Sequence, residues 1–349
     1  MGLSEKKCVL VALYSQGERL TAYARQLEDS GFEVRRNPHR RFFTEDELCE
    51  ALGGVFATVA GGEPYTERVF RTATDLKLVA RWGVGYDQVD VPAATRHGVA
   101  VAMAFGCNHE AVADCTLALM GAVAEKLILH DRRVKGGGWG YEPHRGLWRS
   151  TVGIVGLGRI GKAVARRCRG FEMRVLAHDV QPDLAFAAAH NVTFVPLETL
   201  LRDADFVTLH GPQTPETTHV INRERLARMK PTAVLINTAR GGLVEEAALY
   251  EALVSGRIAG AGLDVFQHEP ATGSPLLGLD TVVCTPHMGG NDLGAQELTG
   301  DCCLQTLLAV AQGRSPQAEY LLNPEVFAGQ RRGAGTAGKR SEPTTKRSC

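Results

Sequence analysis

The chain has 349 residues, with 39 Lys plus Arg against 39 Asp plus Glu and hence no formal net charge. Hydrophobic residues make up 44% and charged residues 22%, enough apolar content for two domains with their own cores. A balanced charge gives no reason to expect nucleic acid or a membrane as partner, and no apolar run is long enough to span a bilayer. The charge is uneven, however. From Ala328 onward six Lys/Arg stand against Glu342 alone, a surplus of +5 that leaves about −5 on the rest.

Met1 to Lys7 leads straight into a strand-like run with no secretory h-region, so a cytoplasmic protein is expected. The nine cysteines are an odd number with no C-x-x-C pair, and read as reduced thiols. Along the chain, "CVLVALY" (8–14) is a strand, "GERLTAYARQLEDSG" a helix ending at Gly31, and "FEVRRN" a strand. "TEDELCEAL" opens with a capping-box pattern, Thr44 to Glu47. "VFATVAG" is a strand, "TERVFRTATD" a helix, "LKLVAR" a strand, "VPAATRHG" a short helix and "VAVAMA" a strand. Such alternation marks a parallel sheet.

One long helix is expected from Asn108 to about Lys135, followed by a Gly/Trp-rich loop, "GGGWGYEPHRG" (136–146). The alternation then restarts. Strands are expected at 152–155, 173–178, 192–194, 205–209, 233–237, 259–264 and 281–284. Helices fall between them, with a last one at 297–313. Residues 328–349, rich in Gly, Lys, Arg, Ser and Thr, are expected to be a disordered basic tail.

Two regions carry chemistry. The first is "VGIVGLGRIGKAVARRCRGFEMRVLAHD", Val152 to Asp179. A strand precedes its glycines, a helix follows them, and the next strand ends in an acid, which is the context a dinucleotide fingerprint requires. Gly156 permits the tight turn, Gly158 close approach of a pyrophosphate, and Gly161 packing of helix on strand. The helix N-terminus offers amides to phosphate. Asp179 stands where a ribose 2′-hydroxyl is read. Its carboxylate repels a 2′-phosphate and no Arg follows in "VQPD", so NAD is expected as cofactor and NADP is disfavoured. An unrelated Gly-rich turn in an α/β sheet is the other reading of this stretch.

The second region delivers Arg240, Asp264, Glu269 and His287 from three successive strands to one sheet edge, where open α/β sheets place their ligands. Arg240 can hold a carboxylate bidentately and polarise the adjoining carbonyl. His287 can give or take the hydroxyl proton. Glu269 can pair with His287, fix its ring and favour its protonated form, and Asp264 can bond a nicotinamide carboxamide. Each residue alone also reads as a surface ion pair or a satisfied core group; together they fit hydride transfer between a 2-hydroxy acid and a 2-oxo acid. His268 and His109 are weaker candidates, and no His/Cys/Asp cluster has metal-ligand spacing.

With "RWGVGYDQVD" (81–90), "NHEAVADCTLALM" (108–120), GLGRIG, "LHGPQTPETTHVIN" (209–222), "NTARGGLVEE", "GLDVFQHEP" and "TPHMGG", the chain resembles the D-isomer-specific 2-hydroxyacid dehydrogenases. The resemblance covers nearly all of residues 8–327 and is nearest to the phosphoglycerate-dehydrogenase-like branch. It implies a Rossmann NAD-binding domain (105–287) inserted into a split flavodoxin-like substrate domain (1–104 and 288–327), with two linkers hinging over a cleft. It implies Arg240, Glu269 and His287 as catalytic residues, and backbone amides near Val84 and Gly85 as holders of the substrate carboxylate. Arg159 and Ile160 would contact phosphate. Thr238, Ala239 and Asp264 would line the nicotinamide side and His210 to Pro212 the adenosine side, and Gly289 and Gly290 are also expected to bind cofactor.

The family also implies a homodimer that uses the region of the 136–146 loop. Two departures bear on the substrate. "VAGGEPYT" (59–66) lacks the basic cluster that would hold a substrate phosphate, and no C-terminal regulatory domain is expected. Both weaken 3-phosphoglycerate as the substrate, and a 3-phosphoglycerate-like acid and a hydroxypyruvate- or glyoxylate-like acid both stay open. An NAD-sensing corepressor with the same fold is the alternative function.

Overall fold

The structure is a computed structural model that describes residues 6–14 and 18–328. The basic tail expected at 328–349 lies, beyond Ala328, outside the described residues. The chain divides into two compact units. One takes the chain up to Phe105 and again from Glu297, and the other is Gly106–Gln296.

The first unit runs β1 (Cys8–Val11), α1 (Glu18–Asp29), β2 (Glu33–Arg36), α2 (Glu45–Ala51), β3 (Ala57–Ala60), α3 (Glu67–Thr72), β4 (Leu78–Arg81), α4 (Val91–Arg96) and β5 (Ala100–Met103). The strands form one parallel sheet in the order β2-β1-β3-β4-β5. Strands β1, β3 and β5 are buried along their whole length. That is the signature of a sheet covered on both faces, and it explains why they read as unbroken apolar runs. The charged strand β2, "EVRR", is the largely exposed edge, where charge discourages further pairing. The expected capping box is present: Thr44 accepts from the Glu47 amide, and the Glu47 carboxylate takes the Thr44 amide.

The second unit opens with α5 (His109–Ala124) and α6 (Leu127–Lys135) and continues β6 (Thr151–Val155), α7 (Arg159–Cys168), β7 (Arg174–His178), α8 (Leu184–His190), β8 (Val192–Phe194), α9 (Leu197–Asp203), β9 (Phe206–Leu209), α10 (Arg223–Leu226), β10 (Val234–Asn237), α11 (Glu246–Val254), β11 (Gly260–Leu263) and β12 (Val282–Cys284). Its parallel sheet has the order β12-β11-β10-β9-β6-β7-β8. The order reverses between β6 and β9, which makes their carboxyl ends a topological switch point. Alternate residues feed two cores. Leu235 packs with α9, α10 and α11, while Val234 and Ile236 pack with α5 and α7.

Two sequence expectations are corrected. The single helix expected from 108 to 135 is two helices, because Lys126 adopts a left-handed conformation (φ 49°) and Glu125 closes α5. Neither Gly nor Pro marks the break, so the pattern alone did not show it. The boundary expected at 288 also moves. Residues 288–296 belong with the second unit, since the amides of Met288 and Gly289 bond to the Asp264 carboxylate. The last helix, α12, accordingly starts earlier than expected (Leu293–Ala311). Its Cys303, Leu304, Leu307 and Val310 join the first unit's core.

Candidate active site

The turn after β6 is built for close approach. Gly156 has φ +93°, and a Cβ there would meet the Gly211 amide nitrogen at 2.7 Å and the His210 carbonyl carbon at 2.9 Å. A Cβ at Gly161 would meet the Gly156 oxygen at 2.2 Å. These two glycines are required by the protein's own packing. Gly158 is different, because a Cβ there would meet nothing within 4 Å. Its bareness serves no contact inside the protein and leaves the N-terminus of α7 open. Gly158 is the N-cap of that helix, which has no side-chain cap, and Arg159 and Ile160 follow as its first residues. Open N–H groups at the positive end of a helix dipole suit a phosphate.

Asp179, directly after β7, has hydrogen bonds within the protein that the sequence did not show. Its Oδ2 accepts the Leu157 amide at 2.6 Å and its Oδ1 the Gln181 amide at 2.8 Å. The carboxylate therefore also anchors the glycine turn. His210 follows β9 and takes the Val155 carbonyl with its amide at 2.8 Å. Desolvation pushes its imidazole down to about 3, so the ring is neutral. Its Nε2 pairs with Thr208 Oγ1 at 2.9 Å, and Nδ1 is buried with no hydrogen-bond partner among the described residues. Pro212 is exposed, and its carbonyl accepts from Thr217 at 2.8 Å.

After β10 comes Thr238-Ala239-Arg240. Sequence reasoning missed the residue that shapes this turn. Asn237 Oδ1 accepts the Ala239 amide at 3.1 Å, and its Nδ2 donates to the Arg240 carbonyl at 2.9 Å. An Asn directly at a strand end is the available signal, since its side chain can bond to the backbone two residues on. Thr238 pairs with Thr116 Oγ1 at 2.9 Å. Ala239 is buried and accepts from Arg240 Nη1 at 2.7 Å.

His287 and Glu269 meet. His287 Nδ1 lies 2.7 Å from Glu269 Oε2, and Glu269 Oε1 accepts the Phe266 amide at 3.0 Å. Burial alone would raise the Glu269 carboxyl. The hydrogen bond and charge of His287, the Phe266 amide and the charge of Arg240 together hold it below its ordinary value. Glu269 is therefore an anion at neutral pH. With Nδ1 committed to it, Nε2 is the ring nitrogen available to a substrate. His287 sits at φ 53°, an uncommon conformation for a residue with a side chain.

Asp264 holds that conformation. It is 2% exposed. Its carbonyl accepts the His287 amide at 2.8 Å, and its carboxylate takes Thr285 Oγ1 at 2.6 Å, the Met288 amide at 2.9 Å and the Gly289 amide at 2.8 Å. A Cβ at Gly289 would press on Asp264 Oδ2, and one at Gly290 on Asn108. His268, by contrast, is exposed, and His109 bonds through Nδ1 to the Gly106 carbonyl at 2.9 Å at the head of α5. No group of three or more metal-binding side chains occurs among the described residues.

In the first unit, Val84 and Gly85 lie in the loop that follows β4. Among the described residues, neither amide donates to a protein acceptor.

Residues 117–289 match the family model described as D-isomer specific 2-hydroxyacid dehydrogenase, NAD binding domain. A glyoxylate reductase of Korarchaeum cryptofilum is 42% identical over 80% of this chain and 84% of its own. The chain belongs to the D-isomer specific 2-hydroxyacid dehydrogenase family. A D-3-phosphoglycerate dehydrogenase of Methanocaldococcus jannaschii is 39% identical over 80% of this chain but 54% of its own length. Among solved structures, the D-lactate dehydrogenase from Aquifex aeolicus, complexed with NAD and lactic acid, superposes with a TM-score of 0.80 at 27% identity. That match covers 90% of this chain and 99% of the other.

The protein is thus a D-2-hydroxyacid dehydrogenase, an oxidoreductase acting on a CH–OH group with NAD as cofactor, and the corepressor alternative is not favoured. The open turn at Gly158 and the uncapped start of α7 fit that cofactor. No helix among the described residues is long and apolar enough to cross a membrane.

Proposed function

We propose that the enzyme reduces a small, unphosphorylated 2-oxo acid of the glyoxylate or hydroxypyruvate kind to the D-2-hydroxy acid. The observation that carries the reading is the 2.7 Å contact between His287 Nδ1 and Glu269 Oε2 beside the charge of Arg240. Bound NADH would supply the hydride. Arg240 grips the substrate carboxylate and polarises the carbonyl. His287 Nε2 gives its proton to the carbonyl oxygen as that oxygen becomes a hydroxyl. The Glu269 anion stabilises His287 while it carries that proton. In the opposite direction His287 takes the proton back.

For the cofactor, Gly158, Arg159 and Ile160 would meet the pyrophosphate at the open start of α7, with Gly156 and Gly161 shaping the turn, and Asp179 would take the ribose diol. His210 to Pro212 would flank the adenosine, and Thr238, Ala239, Asp264, Gly289 and Gly290 would flank the nicotinamide. The first unit, with its β3 and β4 loops, serves as substrate domain and the second as NAD domain. Against a phosphorylated substrate stands the loop after β3. Its charged residue is a wholly buried acid, Glu63, where a phosphate would call for exposed cations.

We further place the enzyme in the cytoplasm as a homodimer. Eight cysteines among the described residues are free thiols, in keeping with a reducing compartment. Helix α6 buries none of its residues, and Leu127, Ile128, Val134, Trp139 and Tyr141 near it are exposed, an apolar face suited to a second copy.

The test is NADH oxidation with glyoxylate, hydroxypyruvate, pyruvate and phosphohydroxypyruvate. Higher kcat/KM for the first two supports the reading. Preference for the phosphorylated acid, or no turnover of any with NADH bound, overturns it.

A further inference from the structure

Two buried hydroxyls meet at the carboxyl end of β10. Thr116, in the middle of α5, is wholly buried, and Thr238 is 7% exposed. Ile236, two residues before Thr238, packs in the core that α5 helps to build, and the alternation of the strand turns Thr238 to the same helix. Thr116 Oγ1 lies 2.8 Å from the Val112 carbonyl and 2.9 Å from Thr238 Oγ1. A hydroxyl has one proton to give and two lone pairs with which to accept. A carbonyl only accepts, so the Thr116 proton goes to Val112. The proton between the two threonines therefore comes from Thr238, which is left with lone pairs and no donor. Its neighbour in the sheet is Asp264: Asn237 pairs in register with Leu263, and Thr238 and Asp264 follow them on the two strands. The Asp264 carboxylate accepts from Thr285, Met288 and Gly289 and is likewise an acceptor only. Cys115, beside Thr116 on α5, closes the group, since a Cβ at Gly289 would come within 3.4 Å of its Sγ and 2.9 Å of Asp264 Oδ2.

We propose that Thr116 is a positioning residue that fixes the Thr238 hydroxyl as an acceptor, so that Thr238 and Asp264 together receive the two N–H groups of the nicotinamide carboxamide. The inference rests on the placing of Thr238 and Asp264 beside the nicotinamide given above. A primary amide nitrogen carries two donors and no acceptor. Two acceptor-only groups at adjoining strand ends match it. They disfavour a substituent without N–H groups, because a buried acceptor is then left unpaired. Without the Thr116 hydroxyl, Thr238 can turn its proton outward and donate to a carbonyl oxygen instead. With it, the carboxamide has one preferred rotation about its bond to the ring. Holding both N–H groups also holds the ring to which they are joined, and orientation of the reacting group is what hydride transfer demands.

The experiment compares the Kd of the full chain for NADH with that for reduced 3-acetylpyridine adenine dinucleotide, in which a methyl group replaces the amide nitrogen and the carbonyl oxygen is kept. ADP-ribose, which lacks the nicotinamide, serves as the third probe. The unaltered protein should bind NADH about tenfold more tightly than the acetyl analogue. In Thr238→Val that ratio should fall about fivefold, with ADP-ribose binding kept. In Thr116→Val it should fall as well, although Thr238 is intact, because the released proton can serve the carbonyl oxygen that both cofactors carry. Thr116→Ser should restore it. A ratio near one in the unaltered protein overturns the proposal without any substitution. An undiminished ratio in a Thr116→Val protein that binds ADP-ribose normally overturns it equally, and a lowered ratio in Thr238→Val alongside leaves the placing of Thr238 at the nicotinamide standing. Equal loss of ADP-ribose and NADH binding in Thr238→Val puts that residue away from the nicotinamide and rejects the placing together with the proposal.

Discussion

The main-chain amide of His287 donates to the Asp264 carbonyl at 2.8 Å, while the Asp264 carboxylate clasps the two amides that follow, Met288 and Gly289. The His287 backbone is thus set from behind by a buried acid. Asp264→Asn keeps the shape but leaves one oxygen to serve three donors. Loss of buried charge-assisted bonds costs about 1.5–3 kcal/mol each. Stability should fall by about 2 kcal/mol, and kcat about tenfold or more as the His287 loop loosens. Urea unfolding and steady-state kinetics read the two effects. Unchanged kcat would mean that the His287 conformation does not depend on Asp264.

His287→Gln should lower kcat by roughly 10²–10⁴, the usual worth of general acid–base catalysis, with NADH binding retained. Glu269→Gln should act on the same proton. Glu269 is held below its ordinary value in part by its bond to His287, and that bond fixes the ring. Glu269→Gln keeps the shape but loses the charge-assisted bond, so kcat should fall about tenfold or more. An unchanged kcat would detach Glu269 from the proton transfer.

How much of this was legible in the sequence depends on the reach of each interaction. The alternation of strands and helices, the glycine turn and the Arg240–Glu269–His287 set sit at strand ends, and strand ends follow from local apolar runs and short-range punctuation. The break at Lys126 was hidden because a left-handed lysine leaves no mark in the pattern. Asn237 and the anchoring tasks of Asp179 and Asp264 were hidden for another reason. Their partners, such as Leu157 for Asp179 or Met288 for Asp264, lie a whole βα unit away, and which backbone amide a carboxylate meets is decided by packing between loops. Glu63 was passed over because sequence shows a charge in a loop but not its burial.

The bonds of Asp179 to the Leu157 and Gln181 amides, beside its proposed place at the ribose, change what its removal should do. Asp179→Ala with Val180→Arg should raise the NADP-to-NAD ratio of kcat/KM by about tenfold or more, since it removes a repulsive charge and adds a phosphate partner. It should also weaken both cofactors, because the Leu157 amide loses its acceptor. Asp179→Asn separates the two tasks. It keeps an acceptor for Leu157 and drops the charge, so it should relax the preference with less loss of affinity. An unaltered cofactor ratio in both variants would remove Asp179 from the ribose site.

The last prediction follows from the buried acid of the first unit. The Glu63 carboxyl is pushed by burial from an ordinary 4.5 to about 7. A folded-state value above the unfolded one means that the folded chain holds a proton the unfolded chain has released. The stabilisation is full below about 4.5, declines as pH rises, and is gone above about 7. A shift of this size corresponds to a change on the order of 3 kcal/mol across that window. Glu63→Gln does not titrate and can still accept the Gly61 amide. Its stability relative to the unaltered enzyme should therefore improve as pH rises from about 5 to about 7 and then level off. Urea unfolding of the two proteins at matched pH measures the difference directly. If their stabilities ran parallel across the window, Glu63 would be ionised throughout it, and burial would not hold a proton on this carboxyl near neutral pH.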